Sequence, residues 1–436
     1  MTSRLRKYVT ALASARDYVA QWSSDHIYAD QALIVPFPTL AIFDPTTHVW
    51  SIQIKAWLYL PFEGRKLKSY LPSLPGFLTG KTDETKPVET TNEDSKKVDA
   101  EKKLTAAIAI EENKKAKEQD EESPDDDENE NDDIYADALQ DELDETNENP
   151  GRLGLFFVGN SVKVVTKSII NGVEHLLQPS DESGFIEEQL ELSDKEIHSL
   201  CTKIHPESDD KKFEYDIQIN DIKTDVQQDR CKAFKCTIYV LASHGVSVIS
   251  DIDDTIKVTK VLSKRALLKH TFYSYFKPVD GMSELYQKWS EQKCQFHYVS
   301  ASPWQLYPAL RCFLEKYKYP MGTMNLRKFT WSLKFLKLPD TYKIETITQI
   351  INAYPLRKYI CVGDSGELDP EIYSKLYQTF PQNIAHIFIR DICHLPECLP
   401  TCHERYVKAF ENIPKERWTV FKDPIKAEVS IAKLIG

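Results

Sequence analysis

Val246-Ser247-Val248-Ile249-Ser250-Asp251-Ile252-Asp253-Asp254-Thr255 is the stretch on which the fold turns. An apolar, β-branched run reads as a buried parallel strand, and two carboxylates one residue apart follow at its end. In open α/β sheets, ligands bind beyond the carboxyl ends of the strands, which is where Asp251 and Asp253 fall. Two aspartates this close repel each other unless a cation or a shared proton separates their roles. The pattern suits an enzyme with one carboxylate as nucleophile, the other as acid/base, and a magnesium ion holding both the site and a phosphate. An acidic loop at a strand end is the plainer reading of these residues alone.

Three downstream segments strengthen the catalytic reading. Phe296-His297-Tyr298-Val299-Ser300 is a second short strand, with Ser300 placed to hydrogen-bond a phosphoryl oxygen. Around Lys343, apolar residues at 344, 347, 350 and 351 have helical spacing. A cation at the start of that helix opposes the macrodipole, which makes sense if an anion sits in front of it. Tyr359-Ile360-Cys361-Val362-Gly363-Asp364 is a third strand ending in a Gly-Asp turn, with Asp369 five residues on. Hard oxygen ligands converging at strand ends suit Mg²⁺.

In this order and spacing the four pieces resemble the motifs of the haloacid dehalogenase superfamily of phosphatases. Asp251, Asp253 and Thr255 match the first motif, Ser300 the second, Lys343 the third, and Asp364 with Asp369 the fourth. Longer segments are similar to the branch containing the fungal actin-patch-associated, Mg²⁺-dependent phosphatidate phosphatase. They are Ser250 to Lys257, Lys277-Pro278-Val279-Asp280-Gly281-Met282, Ser302 to Pro308, and Gly363 to Glu367. Pro36-Phe37-Pro38-Thr39 and Trp50 to Trp57 look like that family's amino-terminal region.

The resemblance implies that Asp251 attacks phosphorus while Asp253, starting protonated with a pKa above that of Asp251, serves as acid and then base. It implies Mg²⁺ held by the Asp251 carboxylate, the Asp253 backbone carbonyl and Asp364. Asp369 would be a further or alternative ligand, and Glu367 its competitor. Ser300 and Lys343 would bind the phosphoryl oxygens, and Thr255 would brace the nucleophile loop. The implied substrate is phosphatidate, converted to diacylglycerol and phosphate; the motifs themselves specify only phosphomonoester chemistry. Cortical actin-patch or endocytic partners follow from the same resemblance. The alternative is an interaction or scaffold protein of such patches, in which phosphomonoesterase activity is secondary or different.

The fold expected is α/β. A haloacid dehalogenase-like Rossmannoid parallel-sheet domain spans 244–436, preceded by an antiparallel β-sandwich over 26–80 and 151–243. Alternating runs carry the sandwich reading: Trp50, Ile52, Ile54, Ala56 and Leu58 on one face, and Phe213, Tyr215, Ile217 and Ile219 on another. Between its halves, 81–150 reads as a disordered insertion. Residues 121–149 hold fifteen Asp/Glu and no Lys/Arg, more than the whole net charge of −12, so the remainder is slightly basic.

Residues 1–25 read as an amphipathic basic helix, suited either to peripheral membrane contact or to packing on the sandwich. Between the first two motifs, a helical cap is expected. Its Lys264 and Arg265, interleaved with aromatic residues, are candidate substrate-binding groups for a phosphate on a greasy tail.

No run approaches the roughly 20 apolar residues of a membrane span, and no secretory signal is evident. Nine cysteines fit reduced thiols, and a cytoplasmic location is expected, at cortical patches or peripherally on a membrane. Cys393, His394, Cys398, Cys402 and His403 include zinc-ligand types, but no CxxC pair is present and Pro396 and Pro400 interrupt them. A loop with free thiols is the reading adopted. Without a concentrated basic stripe, no nucleic-acid partner is expected.

Overall fold

The computed structural model describes residues 33–60, 159–160, 163–220, 235–262, 266–267, 270–271, 274–328, 340–392, 402–427, 431 and 433. The expected amino-terminal helix, the acidic insertion, Lys264, Arg265, and Cys393, His394 and Cys398 lie outside them, as do the side chains of Cys402 and His403.

The first ten strands are β1 (Leu33–Pro36), β2 (Thr39–Asp44), β3 (Val49–Leu60), β4 (Gly159–Asn160), β5 (Thr166–Ile170), β6 (Val173–Leu176), β7 (Phe185–Ser193), β8 (Thr202–Lys203), β9 (Lys211–Ile219) and β10 (Cys236–Val240). A short helix, α1 (Asp194–Leu200), follows β7 and is closed by a capping box between Ser193 and Glu196. The strands form one mixed sheet in the order β1-β3-β2-β10-β9-β5-β6, with β4 and β7 on β3 and β8 on β9.

All pairings there are antiparallel except β2 with β10, which run parallel through Thr39 and Leu40. The expected pair of antiparallel sheets is therefore realised as a single mixed network that β2 joins. The alternation holds: Ile52, Ile54, Ala56 and Leu58 are buried in one cluster with Phe213, Tyr215 and Ile219. Asn171-Gly172 makes the β5–β6 turn with both φ angles positive, as a tight hairpin requires.

The second sheet is parallel throughout. It comprises β11 (Val246–Ser250), β12 (Gln295–Pro303), β13 (Thr323–Arg327), β14 (Lys358–Asp364), β15 (Ile384–Arg390) and β16 (Trp418–Phe421). The order is β13-β12-β11-β14-β15-β16. Connections leave β11 toward β13, then return to its other side through β14. The carboxyl end of β11 is thus the point where the winding reverses, the usual position of a ligand crevice.

The helices between strands are α2 (Met282–Glu291), α3 (Tyr307–Lys316), α4 (Asp340–Ala353), α5 (Asp369–Thr379) and, after β15, α6 (Cys402–Ala409). Met282, Leu285, Tyr286 and Trp289 of α2 are buried in the core. The latter part of the expected cap is therefore a crossover helix whose apolar face packs on the sheet.

The two sheets share a core. Val35, Phe37, Trp57 and Tyr59 of the first belong to the same cluster as Val248, Phe296 and Met324 of the second. Phe185 stacks on Trp304 at 4.3 Å between ring centroids, and Phe37 on Tyr307 at 4.7 Å. Tyr354 Oη donates to the Ala41 carbonyl and accepts from the Leu241 N–H. No helix of the described residues is long and apolar enough to cross a membrane.

His297 on β12 is buried, with Nδ1 2.9 Å from Thr323 Oγ1. Burial, reinforced by the Arg357 charge, lowers its pKa from 6.5 to about 3. The folded state thus holds a neutral imidazole, whereas the unfolded chain takes up a proton below 6.5. Its stability contribution is complete above 6.5 and declines as pH falls toward 3. In urea titrations, the advantage of wild type over His297→Gln should shrink by ~1.4 kcal/mol per pH unit in that window. A pH-independent advantage would show that another group carries the acid sensitivity.

Candidate active site

The loop that follows β11 is built by alternation. β11 is buried along its whole length, and the Asp251 N–H continues its pairing by donating to Val362 O at 2.9 Å. Ile252 and Ile256 turn into the core, which leaves Asp251, Asp253 and Thr255 between them at the crevice. Asp254 supplies the turn: its φ is +52°, and its carboxylate accepts N–H bonds from Thr259, Lys260 and Val261 at 2.6–2.9 Å. A short polar side chain that caps nearby backbone tolerates this left-handed geometry better than most residues.

Strands β12 and β14 flank β11, so the second and fourth motifs lie on either side of the first. Lys343 reaches in from the first turn of α4, as its spacing predicts. Its Nζ lies 2.8 Å from Asp251 Oδ1, 2.7 Å from Asp369 Oδ1 and 3.0 Å from Glu367 Oε2. Thr255 Oγ1 donates to Asp251 Oδ2 at 3.3 Å.

Asp253 has a separate set of partners. Lys257 Nζ is 2.6 Å from its Oδ1, to which Thr259 also donates at 2.7 Å. Ser302 donates to Oδ2 at 2.6 Å and Ser300 at 3.3 Å. Ser300 is not the last residue of its strand: β12 continues to Pro303 through an irregularity in its pairing with β13. Ser302, two residues on, donates to the same carboxylate oxygen as Ser300.

At the end of β14, close approach demands glycine. A Cβ on Gly363 would lie 2.3 Å from Asp369 Oδ2, and one on Gly366 would lie 2.4 Å from Ile392 Cδ1. This tight turn lets Asp364 Oδ1 accept from Gly366 N–H at 2.6 Å and Glu367 N–H at 3.2 Å. Asp369 is fully committed: Oδ1 holds Lys343, and Oδ2 accepts the Asp364 N–H at 3.2 Å.

The electrostatics follow from burial. Burial pushes the Asp251 carboxyl well above its ordinary range; Lys343 opposes this, while Asp369, Glu367 and Asp253 add to it. Asp364 is raised likewise by burial, then by Asp369, Glu367 and Asp251. Glu367 is raised by burial and Asp369 against the pull of Lys343. For Asp253, burial also acts upward, but the Lys257 charge and hydrogen bonds from Lys257, Ser302 and Thr259 outweigh it and hold the carboxyl at about 2. In the cation-free protein Asp251 thus lies above Asp253, whereas the expected order, Asp253 above Asp251, applies to Asp251 held against Mg²⁺.

Carboxylate oxygens of Asp251, Asp364 and Glu367 come within 4.8 Å of one another. Asp364 Oδ2 is buried and has no hydrogen-bond partner among the described residues. Asp251, Glu367 and Asp369 share the Lys343 ammonium, leaving the cluster with Asp364 rich in negative charge. Three converging hard oxygen donors, one of them unsatisfied, fit a small divalent cation. Glu367, and not Asp369, completes the triad, because Asp369 is turned to Lys343 and the Asp364 backbone.

Asp251, Asp253, Thr255, Ser300, Lys343, Asp364 and Asp369 are thus brought together as the motifs imply. Sequence reasoning assigned no role to Lys257, Thr259 or Ser302. A lysine four residues after the second aspartate was a readable signal for the first of these. For Ser302 the signal was its place two residues after Ser300, on the same strand face.

Comparison with known proteins agrees with this geometry. Residues 246–391 match the family model described as the catalytic domain of phosphatidate phosphatase APP1. An uncharacterized protein of Schizosaccharomyces pombe is 34% identical over 166 residues, covering 37% of this chain and 27% of its own length. Phosphatidate phosphatase APP1 of Saccharomyces cerevisiae is 30% identical over 179 residues, covering 40% of this chain and 30% of its own. The chain therefore spans less than a third of the length of these curated relatives. Residues 246–391, which carry every motif aspartate of the site, are thus similar to the catalytic domain of phosphatidate phosphatase APP1.

Proposed function

We propose that this chain is a Mg²⁺-dependent phosphatidate phosphatase of haloacid dehalogenase type, releasing phosphate and leaving diacylglycerol. The observation that carries this is the buried Asp251, paired to Lys343 and facing the oxygens of Asp364 and Glu367 at the winding reversal of a parallel sheet. The lipid substrate rests on the family match.

Asp251, Asp364 and Glu367 would hold the cation, which supplies charge neutralisation for the phosphoryl oxygens. Asp251 attacks phosphorus in line, forming an aspartyl-phosphate as the bond to the glycerol oxygen breaks. Lys343 and Ser300 orient the equatorial oxygens. Asp253 gives its proton to the departing alkoxide, then takes one from the water that cleaves the acyl-phosphate. Its anionic form, held by Lys257 and Ser302, is ready for the second step. For the first, the dianionic phosphoryl group arriving beside it favours uptake of the proton.

Phosphate release from phosphatidate in detergent micelles, with Mg²⁺ or with EDTA, tests the reading. Release with Mg²⁺ and none with EDTA is expected. Release from soluble phosphomonoesters but not phosphatidate would overturn the lipid assignment alone. Undiminished release in EDTA would overturn the metal.

A further inference from the structure

Glu367 stands in the carboxylate triad only because the loop after β14 is held in one shape. The loop's N–H groups turn inward: those of Gly366 and Glu367 donate to Asp364 Oδ1, and that of Ser365 to Arg390 O at 3.0 Å. Its carbonyls face the other way, toward α6. There, Arg405 Nη1 donates to Ser365 O at 3.3 Å and Nη2 donates to Glu367 O.

The guanidinium is itself aimed by Glu371 on α5, with Nε 2.6 Å from Oε1 and Nη2 3.0 Å from Oε2. A planar fork gripped on one edge by a carboxylate presents its remaining donors in fixed directions, which a lysine cannot do. Arg405 lies beyond residue 391, where the match to the family model ends. The helix that carries it is docked by other means: Ser374 Oγ donates to Ala409 O at 2.6 Å, and Phe410 is buried in the core.

We infer that Arg405 is a positioning residue for divalent-cation binding, clamping the backbone on both sides of Gly366 so that Glu367 stays within reach of Asp251 and Asp364. This rests on the metal reading of that triad. Residues that hold ligands in place typically change metal affinity by roughly tenfold to a hundredfold when lost. The segment after the matched region thereby takes part in the site without touching substrate.

Mn²⁺ binding to the full chain, followed by the electron paramagnetic resonance of free Mn²⁺ without substrate, tests this. Arg405→Gln should weaken Mn²⁺ binding by roughly tenfold to a hundredfold, with a melting temperature in EDTA close to that of wild type. Arg405→Lys keeps the charge but loses the fork and should stay weak. Glu371→Gln should show a smaller loss in the same direction, and carries the test if the Arg405 variants fail to fold. Wild-type affinity in Arg405→Gln, or its full recovery in Arg405→Lys, would overturn the proposal and leave the metal reading standing. No Mn²⁺ uptake by wild type would overturn the metal reading, and the proposal with it.

Discussion

Asp251→Asn should lower phosphate release by about 10⁴-fold or more, the scale seen when the residue that forms a covalent intermediate is lost. The substitution keeps size and shape: the amide oxygen can face Lys343, and the amide NH₂ can donate to Thr255 Oγ1. What it removes is the negative charge that, in the proposed mechanism, attacks phosphorus. The same change should leave the cation-free protein as stable as wild type or more so. Asp251 is buried among Asp369, Glu367 and Asp253, whose charges make its ionised form costly there, and Lys343 keeps Glu367 and Asp369 as partners. Paired measurements of turnover and of melting temperature in EDTA separate the two effects. Wild-type turnover in Asp251→Asn would remove the nucleophile from the mechanism.

Arg357→Met should destabilise the fold by about 3–5 kcal/mol, as expected when one partner of a buried ion pair is deleted. Arg357 is fully buried at the amino-terminal end of the parallel sheet. It reaches both Asp210 oxygens, at 2.9 and 3.2 Å, and donates to Ser247 Oγ and the carbonyls of Ala242, His244 and Val246. Asp210 lies just before β9 of the mixed sheet, 241–245 link the sheets, and Val246 and Ser247 open β11, so one side chain joins all three. Without it, a buried carboxylate loses its cation and keeps the Ala242 N–H, and three carbonyls lose a donor. Denaturant titration of the two single variants and of Arg357→Met with Asp210→Asn gives the coupling. The double variant should cost clearly less than the sum of the singles. Additive losses would show that the pair is not the link between the sheets.

Most of the site was legible because its chemistry sits at strand ends. Short buried runs locate the strands, and the residue after each run must then lie at the crevice, which is how Asp251 and Asp364 were placed. Lys343 was legible for a similar reason, from its position at the start of an apolar-periodic helix. The partition of partners within the site was not. Whether Asp253 is protonated depends on Lys257, Thr259 and Ser302 converging on it, and Ser302 comes from a different strand. The choice between Glu367 and Asp369 as the third oxygen of the triad depends on a turn tight enough to exclude a Cβ at Gly363.

Local alternation likewise read the faces of β3 and β9 correctly, since period-2 patterning is a property of each strand alone. It could not foresee that β2 would pair in parallel with β10 and make one mixed sheet of the two halves. Nor could it show α2 buried in the core, because an amphipathic stretch carries the same pattern whether it covers a site or packs on a sheet. The sequence by itself determined the parallel sheet, its crevice and the aspartates there, because these follow from short-range pattern and strand direction. Tertiary structure alone decided which cation each carboxylate keeps, how Arg357 joins the sheets, and how Arg405 reaches back to the loop of Glu367. Those depend on side chains far apart in the chain meeting at hydrogen-bond distance.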